Sequence, residues 1–432
     1  MTNVDFNCPE YRRIRKAYVT QCTVEHLVYL LTVDAFLAKL LSHLNFSDAL
    51  IGVITSFTSV AFLFQLLSIF LVQTRISTKK IVVTLDVISQ LSFLLIYCIP
   101  FVPISGDAKR IAVVLLVILG WIGKAVIESL YFKWANAYVD PSVRATFSAR
   151  KEMISLFCGI IFSTTIGYFV DRFEGLDNMT GAFIFISSVM LVLNITNFIS
   201  FLLIKDEDTT ERTQMRVPLK EVLVHIRENK IYRNYVIVMI YSSLYGSFLG
   251  GFLGIYKVKE LAMSMLLIQV VGVLADFARM GVSIPIAKFS NKYGFASGMQ
   301  LASLMSLIAH IFVVFTTPKT WWLIIPYTIL VSSAAAGTNQ NSFNINYTLL
   351  PTKYMSQAMA IQKTLCGIAS AVSILLAGKI FDTVQNNGVS IFGIDLYPQQ
   401  FMAILMIPFM ISMIILKHIF VVRPLKKIYN KA

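Results

Sequence analysis

Ionisable side chains inside strongly apolar stretches are the residues of this sequence that could do chemistry. Lys124 and Glu128 stand four residues apart in one such stretch, so a helix places both on one face, where they can form an ion pair. Asp276 and Arg279 stand three apart in another stretch and also share a face. Because a charge within a bilayer is costly, each is a candidate for binding a substrate or a coupling ion, with a structural ion pair as the alternative.

A further group of ionisable residues lies near the start of the chain, where one apolar stretch carries Glu25, His26 and Asp34. Residues 25 and 34 are about 180° apart around a regular helix, so they cannot both face one cavity. We expect Asp34 to be the cavity or proton-binding residue. Glu25 lies nearer the end of the stretch, where water can reach it.

Carboxamides form a second kind of candidate site. The polar run 337–346 contains Asn341 and Asn344, which share one helix stripe with Gly337. Carboxamides both donate and accept hydrogen bonds without a net charge, which suits hydroxyl-rich or amide-bearing ligands. Hydrogen bonding between helices is the alternative.

Two tyrosines precede a glycine-rich segment. Tyr241 and Tyr245 share one helix face and could offer hydroxyls to a substrate, with a core or lipid-interface position as the alternative. Gly246, Gly250 and Gly254 have the spacing of a tight helix–helix contact. Glycine also weakens a helix by about 1 kcal/mol relative to alanine, which favours bending. The sequence leaves packing and gating open for this segment.

The composition indicates that these residues are positioned by helices in a membrane. Hydrophobic residues make up 56% of the chain and charged residues only 14%, against about 25% charged in soluble domains. Twelve stretches reach the ~20 apolar residues that a membrane-spanning helix needs. The predicted spans are 20–42, 49–73, 81–103, 111–137, 152–170, 180–204, 234–256, 262–287, 297–316, 321–349, 357–381 and 398–422.

The distribution of basic residues predicts the orientation. Most of the 37 Lys and Arg residues fall at the two termini and in the even-numbered connections between spans, which predicts a multi-pass protein of the cell membrane with both termini cytoplasmic. The longest connection, 205–233, contains Pro218 followed by apolar residues at helical spacing. We expect a short amphipathic helix there, dividing the chain into halves 1–204 and 234–432.

Several classes of function are disfavoured by the sequence. The five cysteines are scattered, and neither a phosphate-binding glycine loop nor a zinc-protease motif is present, so we predict no enzyme activity, no cofactor and no metal. The formal net charge of +14 is explained by basic cytoplasmic loops, and we expect no nucleic-acid partner.

The two halves resemble each other at an offset of about 210 residues. The end of the fourth span, 136–141, parallels 346–351, and the segment Gly167–Asp171 parallels Gly378–Asp382. Two parallel six-helix repeats suggest alternating access around a site near the membrane midplane.

Across its whole length the chain resembles the major facilitator superfamily. The segment Ala287–Gly294 is similar to the gating signature Gly-x3-Asp-Arg-x-Gly of that family, with Asn291 and Lys292 replacing the acid and the arginine. The segment Val143–Arg150 resembles one common in loosely annotated bacterial members. The resemblance implies an all-α membrane protein with twelve transmembrane helices in two pseudo-symmetric six-helix bundles. The gating candidates are Arg75, Arg144, Arg150, Asp171, Asn291, Lys292, Gly294 and Asp382.

Together these patterns predict a secondary active transporter. The predicted partners are a small hydrophilic solute, protons and the lipid bilayer, and we expect the protein to act as a monomer by alternating access. Efflux of amphipathic compounds by proton antiport is the alternative, although the fifth span, around Gly159–Gly167, lacks the proline of the drug:proton antiporter signature. A membrane receptor or scaffold built on a transporter fold is the remaining alternative.

Overall fold

The computed structural model describes residues 8–72, 77–136, 138–140, 144–206, 218–391 and 393–429. Arg75, one of the gating candidates, lies outside these residues, and Arg144 is described only as the first residue of a helix. The described part of the chain is almost entirely α-helical. A small antiparallel hairpin pairs β1 (Ser390–Ile391) with β2 (Ile394–Asp395).

In the described part of the chain, nine helices precede the long central connection. They are α1 (Pro9–Leu31), α2 (Asp34–His43), α3 (Asp48–Thr55), α4 (Phe57–Ala61), α5 (Leu67–Val72), α6 (Thr78–Cys98), α7 (Gly106–Asn136), α8 (Arg144–Gly175) and α9 (Met179–Leu203). Turns of 3-10 helix occupy Phe62–Leu66 and Ile99–Phe101.

Eight helices follow that connection among the residues that the structure describes. They are α10 (Leu219–Glu228), α11 (Lys230–Ile255), α12 (Met265–Tyr293), α13 (Phe295–Val314), α14 (Ile324–Leu349), α15 (Thr352–Asn387), α16 (Pro398–Lys417) and α17 (Arg423–Tyr429). Segments of π-helix extend α11 at Tyr256–Glu260 and α16 at His418–Val422, and a 3-10 turn at Pro318–Leu323 leads into α14.

Ten helices in the described residues are long and apolar enough to cross a membrane. The number rises to eleven if α3 and the segment Phe57–Leu66, which are bent by 41° at their junction, form one span. Ten or eleven is fewer than the twelve spans predicted from the sequence, and the first predicted span, 20–42, is divided between α1 and α2.

The break between α1 and α2 has a local cause. The hydroxyl of Thr32 donates hydrogen bonds to the carbonyl oxygens of Val28 and Tyr29 at 3.2 and 3.1 Å, at the end of α1. Two residues later, Asp34 has a φ of 47°, a left-handed conformation that a right-handed helix cannot contain. A regular helix therefore does not connect Glu25 to Asp34, and the 180° argument made from the sequence does not apply to them.

The chain forms two compact units. The first comprises described residues within 1–46, 64–216 and 264–269, and the second comprises those within 47–63, 217–263 and 270–432. The helix α3 therefore belongs to the second unit, although the sequence places it in the half 1–204. The division into sequence halves stays a prediction.

The first unit is organised around a core of aromatic residues from α1, α7 and α9. Trp134 is fully buried and stacks on Phe201, with ring centroids 6.1 Å apart. The indole N–H of Trp134 donates a hydrogen bond to the carbonyl oxygen of Lys205, so the polar end of this ring is satisfied.

The second unit has its own core, which includes the helix predicted for the central connection. That helix is α10, and its Val222 is fully buried in the same hydrophobic core as Tyr232 and Tyr354. Asn229 follows α10 and caps α11 by accepting a hydrogen bond from the backbone N–H of Tyr232 at 3.0 Å. Helix α10 is thus fixed to the second unit at both its apolar face and its end.

Candidate functional site

Two glycines allow α7 to approach α6 closely. A Cβ atom on Gly123 would lie 2.1 Å from Ser89 Oγ, and one on Gly120 would lie 2.4 Å from the ring of Phe93. Larger residues at these positions would hold the helices apart. Lys124 follows Gly123 directly, so this contact places the lysine beside α6.

Lys124 forms ion pairs with carboxylates from two other helices. Its Nζ lies 2.9 Å from Glu25 Oε1 on α1 and also pairs with Asp86 on α6. The side chain of Asp86 is 1% exposed and that of Lys124 is 11% exposed, whereas that of Glu25 is 33% exposed. When all three groups are ionised the cluster carries two negative charges and one positive charge.

The two carboxylates each have a second polar partner. The Nδ2 of Asn197 on α9 donates a hydrogen bond to Asp86 Oδ2 at 2.5 Å. The Nε2 of Gln21 donates to Glu25 Oε2 at 2.8 Å. Both oxygens of each carboxylate are therefore hydrogen-bonded, which offsets part of the free energy lost when charged groups leave water. Lys124, Glu25 and Asp86 are called the ion-pair cluster below.

A chain of polar side chains connects the ion-pair cluster to α8. The hydroxyl of Tyr131 donates a hydrogen bond to Gln21 and lies 3.4 Å from Cys22 Sγ. The Nζ of Lys151 lies 3.3 Å from Cys22 Sγ and 3.2 Å from the hydroxyl of Tyr18. Helices α1, α7 and α8 thus share one polar network inside the first unit.

The partners of Lys124 differ from the sequence prediction. The spacing of Lys124 and Glu128 predicted a pair between them, but the structure places Glu25 and Asp86 at the ammonium group. Glu128 lies one turn further along α7 and is half-buried. Asp86 was missed, although an acid within the third predicted span meets the same cost argument that selected Lys124.

The other predicted ionisable residues belong to helices other than those that form the ion-pair cluster. Asp34 is exposed at the first position of α2. Asp276 and Arg279 lie one turn apart on α12, in the second unit, and both are half-buried. Their roles stay predictions.

The carboxamides of α14 point in different directions. Asn341 is fully buried and its Nδ2 donates a hydrogen bond to the carbonyl oxygen of Gly337 at 2.7 Å. A Cβ on Gly298 of α13 would lie 2.7 Å from the same Nδ2, so Asn341 packs directly against α13. This position favours the packing alternative for Asn341. Asn344 is half-buried and remains a candidate for ligand contact.

The two candidate tyrosines of α11 contact neighbouring helices. The hydroxyl of Tyr241 lies 2.8 Å from Ser412 Oγ on α16, and Tyr245 packs on the core of the second unit. Both contacts favour a structural role for these tyrosines over contact with a substrate.

The close helix contact in the glycine-rich segment occurs at Gly251. A Cβ there would lie 1.9 Å from Ser56 Oγ and 2.4 Å from the carbonyl oxygen of Gly52, at the approach of α3 to α11. Gly246 and Gly250, which the sequence spacing selected, have open space at the Cβ position.

Two gating candidates have clear backbone roles. The carboxylate of Asp171 accepts hydrogen bonds from the backbone N–H groups of Met265 and Leu266, both at 2.7 Å, and so caps the first turn of α12. Gly294 has a φ of 93° between α12 and α13, a conformation that favours glycine. The side chains of four further candidates are exposed; these are Arg150, Asn291, Lys292 and Asp382.

Comparison with known proteins places the chain in a family. The family model of the Major Facilitator Superfamily matches residues 29–374, so the chain belongs to that superfamily and is a multi-pass membrane protein. None of the curated proteins matches this sequence.

Solved structures of transporters share the fold. The nucleoside transporter NupG has a TM-score of 0.66 at 13% sequence identity, covering 96% of this chain and 98% of that one. An auto-inhibited peptide transporter of the POT family has a TM-score of 0.67 at 12% identity, covering 95% and 96%. A D-xylose–proton symporter has a TM-score of 0.63 at 14% identity, covering 92% and 96%. At these identities the likeness establishes the fold alone.

Proposed function

We infer that this protein is a secondary active transporter that moves a small hydrophilic solute by alternating access and is driven by a proton gradient. The observation that carries this proposal is the ion-pair cluster, in which Lys124 on α7 bridges Glu25 on α1 and Asp86 on α6. Placing a charged group inside an apolar helix costs free energy, so such a group is a candidate functional residue.

The two carboxylates of the cluster differ in their access to water. Asp86 is almost completely buried and is held by Asn197, whereas the side chain of Glu25 is one-third exposed. Glu25 is therefore the group that exchanges protons with solvent, and Asp86 is the fixed counter-ion of Lys124. Protonation of Glu25 neutralises the cluster and removes one charge from its ion pair with Lys124, which weakens the attraction between α1 and α7.

This mechanism couples a proton to helix movement. With Glu25 protonated, the ammonium of Lys124 keeps Asp86 as its partner, so no charge is left unpaired. With Glu25 ionised, the attraction between α1 and α7 is restored. A proton thus changes the contact between two helices without leaving a buried charge uncompensated.

Uptake into proteoliposomes with an imposed pH gradient tests the proposal. The wild-type protein is expected to accumulate its solute when the gradient is present and to equilibrate it when the gradient is collapsed. Glu25→Gln keeps the hydrogen-bonding shape of the side chain but cannot release a proton. This variant is expected to retain solute exchange while losing accumulation.

The matched control is Glu174→Gln, which removes an acid that pairs with Lys39 and whose side chain is 47% exposed. This control is expected to accumulate solute as the wild type does. Full accumulation by Glu25→Gln would remove Glu25 from the coupling mechanism.

Efflux of amphipathic compounds is the second candidate. One observation favours it, an apolar groove of 560 Å³ along α5, α6 and α7, lined mainly by aliphatic residues such as Ile81, Leu85 and Ile122. Its lining includes Lys80 but no acid, which disfavours lipophilic cations. Thermal stabilisation of the purified protein by neutral or anionic amphipathic compounds, but not by hydrophilic solutes, would favour efflux over uptake.

A further inference from the structure

The apolar groove along α5, α6 and α7 lies on the exposed side of two helices that are long and apolar enough to cross a membrane, α6 and α7. Phe70, Ile88 and Leu119, which line it, are all exposed. Helix α7 continues the same exposed surface with Leu115 and Ile111, one and two turns from Leu119. The groove therefore faces the hydrocarbon of the bilayer, and it is called the α6–α7 groove below.

One end of the α6–α7 groove carries a positive charge. Lys80 is exposed in the first turn of α6, where its backbone N–H donates a hydrogen bond to the hydroxyl of Ser77 at 3.2 Å. The preceding Lys79 instead donates to the carbonyl oxygens of Leu202 and Ile204, at the end of α9. Among the described residues that line the groove, Lys80 is the only charged one. The first turn of a helix adds a partial positive charge, so this end of the groove favours an anion.

The length of the groove matches one leaflet of a bilayer. From Lys80 to Ile88 the groove follows α6 for about 12 Å, and the hydrocarbon of one leaflet is about 15 Å thick. The distribution of basic residues predicts that the connection before α6 is cytoplasmic, so we expect Lys80 at the cytoplasmic membrane surface and the apolar lining below it, towards the midplane. Anionic phospholipids give that leaflet its negative surface potential.

We propose that the α6–α7 groove binds an anionic phospholipid of the cytoplasmic leaflet. The phosphate pairs with the ammonium group of Lys80, and an acyl chain packs on the apolar side chains below it. Gly123 also lines the groove, and a Cβ at this position would lie 2.1 Å from Ser89 Oγ. A bound chain therefore packs over the contact between α6 and α7 that positions Lys124, and it stabilises the first unit. A resident lipid excludes transported amphipathic compounds from this groove, so it counts against efflux and is independent of solute uptake.

The test is thermal unfolding of the purified protein in detergent with added dioleoyl phosphatidylglycerol or dioleoyl phosphatidylcholine, which carry the same chains. A ligand that binds only the folded state raises the unfolding temperature. The wild type is expected to reach half of its maximal shift with about fivefold less phosphatidylglycerol than phosphatidylcholine, the contribution of one lysine at a membrane surface. Lys80→Gln is expected to respond equally to the two lipids. Leu119→Trp, which fills the groove with an indole ring, is expected to lose the shift. Glycerol 3-phosphate, which has no acyl chain, is expected to give no shift.

The matched controls remove the same charge, or add the same ring, outside the groove. Lys16→Gln changes an exposed lysine of α1, and Leu115→Trp changes a residue of α7 that is 60% exposed, one turn from Leu119. Both are expected to respond to the lipids as the wild type does. Equal responses of the wild type to the two lipids, or a preference for phosphatidylglycerol retained in Lys80→Gln, would overturn the lipid site. A shift with glycerol 3-phosphate would assign Lys80 to a soluble anion instead. A Leu119→Trp variant with an altered oligomeric state and an unchanged lipid response would assign the groove to a second copy of the chain.

Discussion

The ammonium group of Lys124 and the carboxylate of Asp86 form an ion pair in which the aspartate side chain is 1% exposed. Glu25 joins this pair from α1 and remains partly open to water. Because Asp86 is buried and Glu25 is partly exposed, Asp86 can remain paired with Lys124 while Glu25 exchanges a proton with water. The predictions below test this arrangement and the contacts that support it.

Removal of one partner from the buried pair should destabilise the protein strongly. Lys124→Met leaves Glu25 and Asp86 as close like charges without a counter-ion, so it is expected to cost about 3 kcal/mol. Asp86→Leu leaves Lys124 paired with Glu25, so it is expected to cost less. The double variant should cost less than the sum, because it removes a charge of each sign. Thermal unfolding in detergent measures this, with the exposed Glu174→Gln as a control expected to cost under about 1 kcal/mol. Strictly additive losses would contradict a direct pair.

Loss of the cap on α12 should lower stability moderately. Asp171→Ala leaves the backbone N–H groups of Met265 and Leu266 without their carboxylate partner, at an expected cost of about 1 kcal/mol. The matched control is Asp382→Ala, at the corresponding position of the internal repeat, where the side chain is exposed. Equal unfolding temperatures for the two variants would argue against the cap.

Replacing either of two adjacent glycines of α11 by alanine should change the stability of the protein in opposite directions. Gly251→Ala places a Cβ against the carbonyl oxygen of Gly52, so α3 and α11 must separate, at an expected cost of about 1–3 kcal/mol. Gly250→Ala meets no atom within 4 Å and should stabilise the helix by up to about 1 kcal/mol. The unfolding temperatures of the two variants measure this difference, and a loss of stability in Gly250→Ala would contradict the open position.

The contact that Glu221 makes between α10 and α15 should depend on pH. A hydrogen bond from the Tyr354 hydroxyl, with the Lys353 ammonium 3.3 Å away, lowers the pKa of Glu221 below its usual value. The ionised carboxylate therefore favours the docked helix. This contribution is complete above the ordinary glutamate pKa and is lost as pH falls through the lowered one.

Hydrogen exchange of the α10 amides, corrected for the intrinsic rate, measures this attachment. Protection is expected to decrease in the wild type on acidification, whereas Glu221→Gln is expected to show the weaker protection at every pH. A Glu221→Gln variant with the wild-type pH profile would assign the effect to another group.

Part of the fold could be predicted from hydropathy and the local spacing of residues alone. The apolar composition and the length of the apolar stretches predicted a helical membrane protein, because the need to bury backbone polar groups in a bilayer depends on each stretch by itself. The apolar spacing after Pro218 likewise predicted α10, whose Val222 is buried as that pattern requires. The break at Thr32 and Val33 was not predicted, because no proline or glycine marks it.

The partners of Lys124 show why the site required the tertiary structure. A sequence specifies distances along one helix, so Glu128 was the partner it could offer, whereas Glu25 and Asp86 are 99 and 38 residues away along the chain. Which helices touch depends on the fit of whole surfaces, including the close approach at Gly120 and Gly123. Pairing between distant helices is therefore decided by packing.

Helix α14 also shows which features the sequence determined and which features depended on packing. The sequence determined that this helix is too polar for lipid, because the run 337–346 is rich in carboxamides and hydroxyls. It did not determine that Asn341 faces α13 and that Asn339, Phe343 and Tyr347 face outward. A helical stripe has the same periodicity whichever way it is turned, so its direction is set only by the neighbours that pack against it.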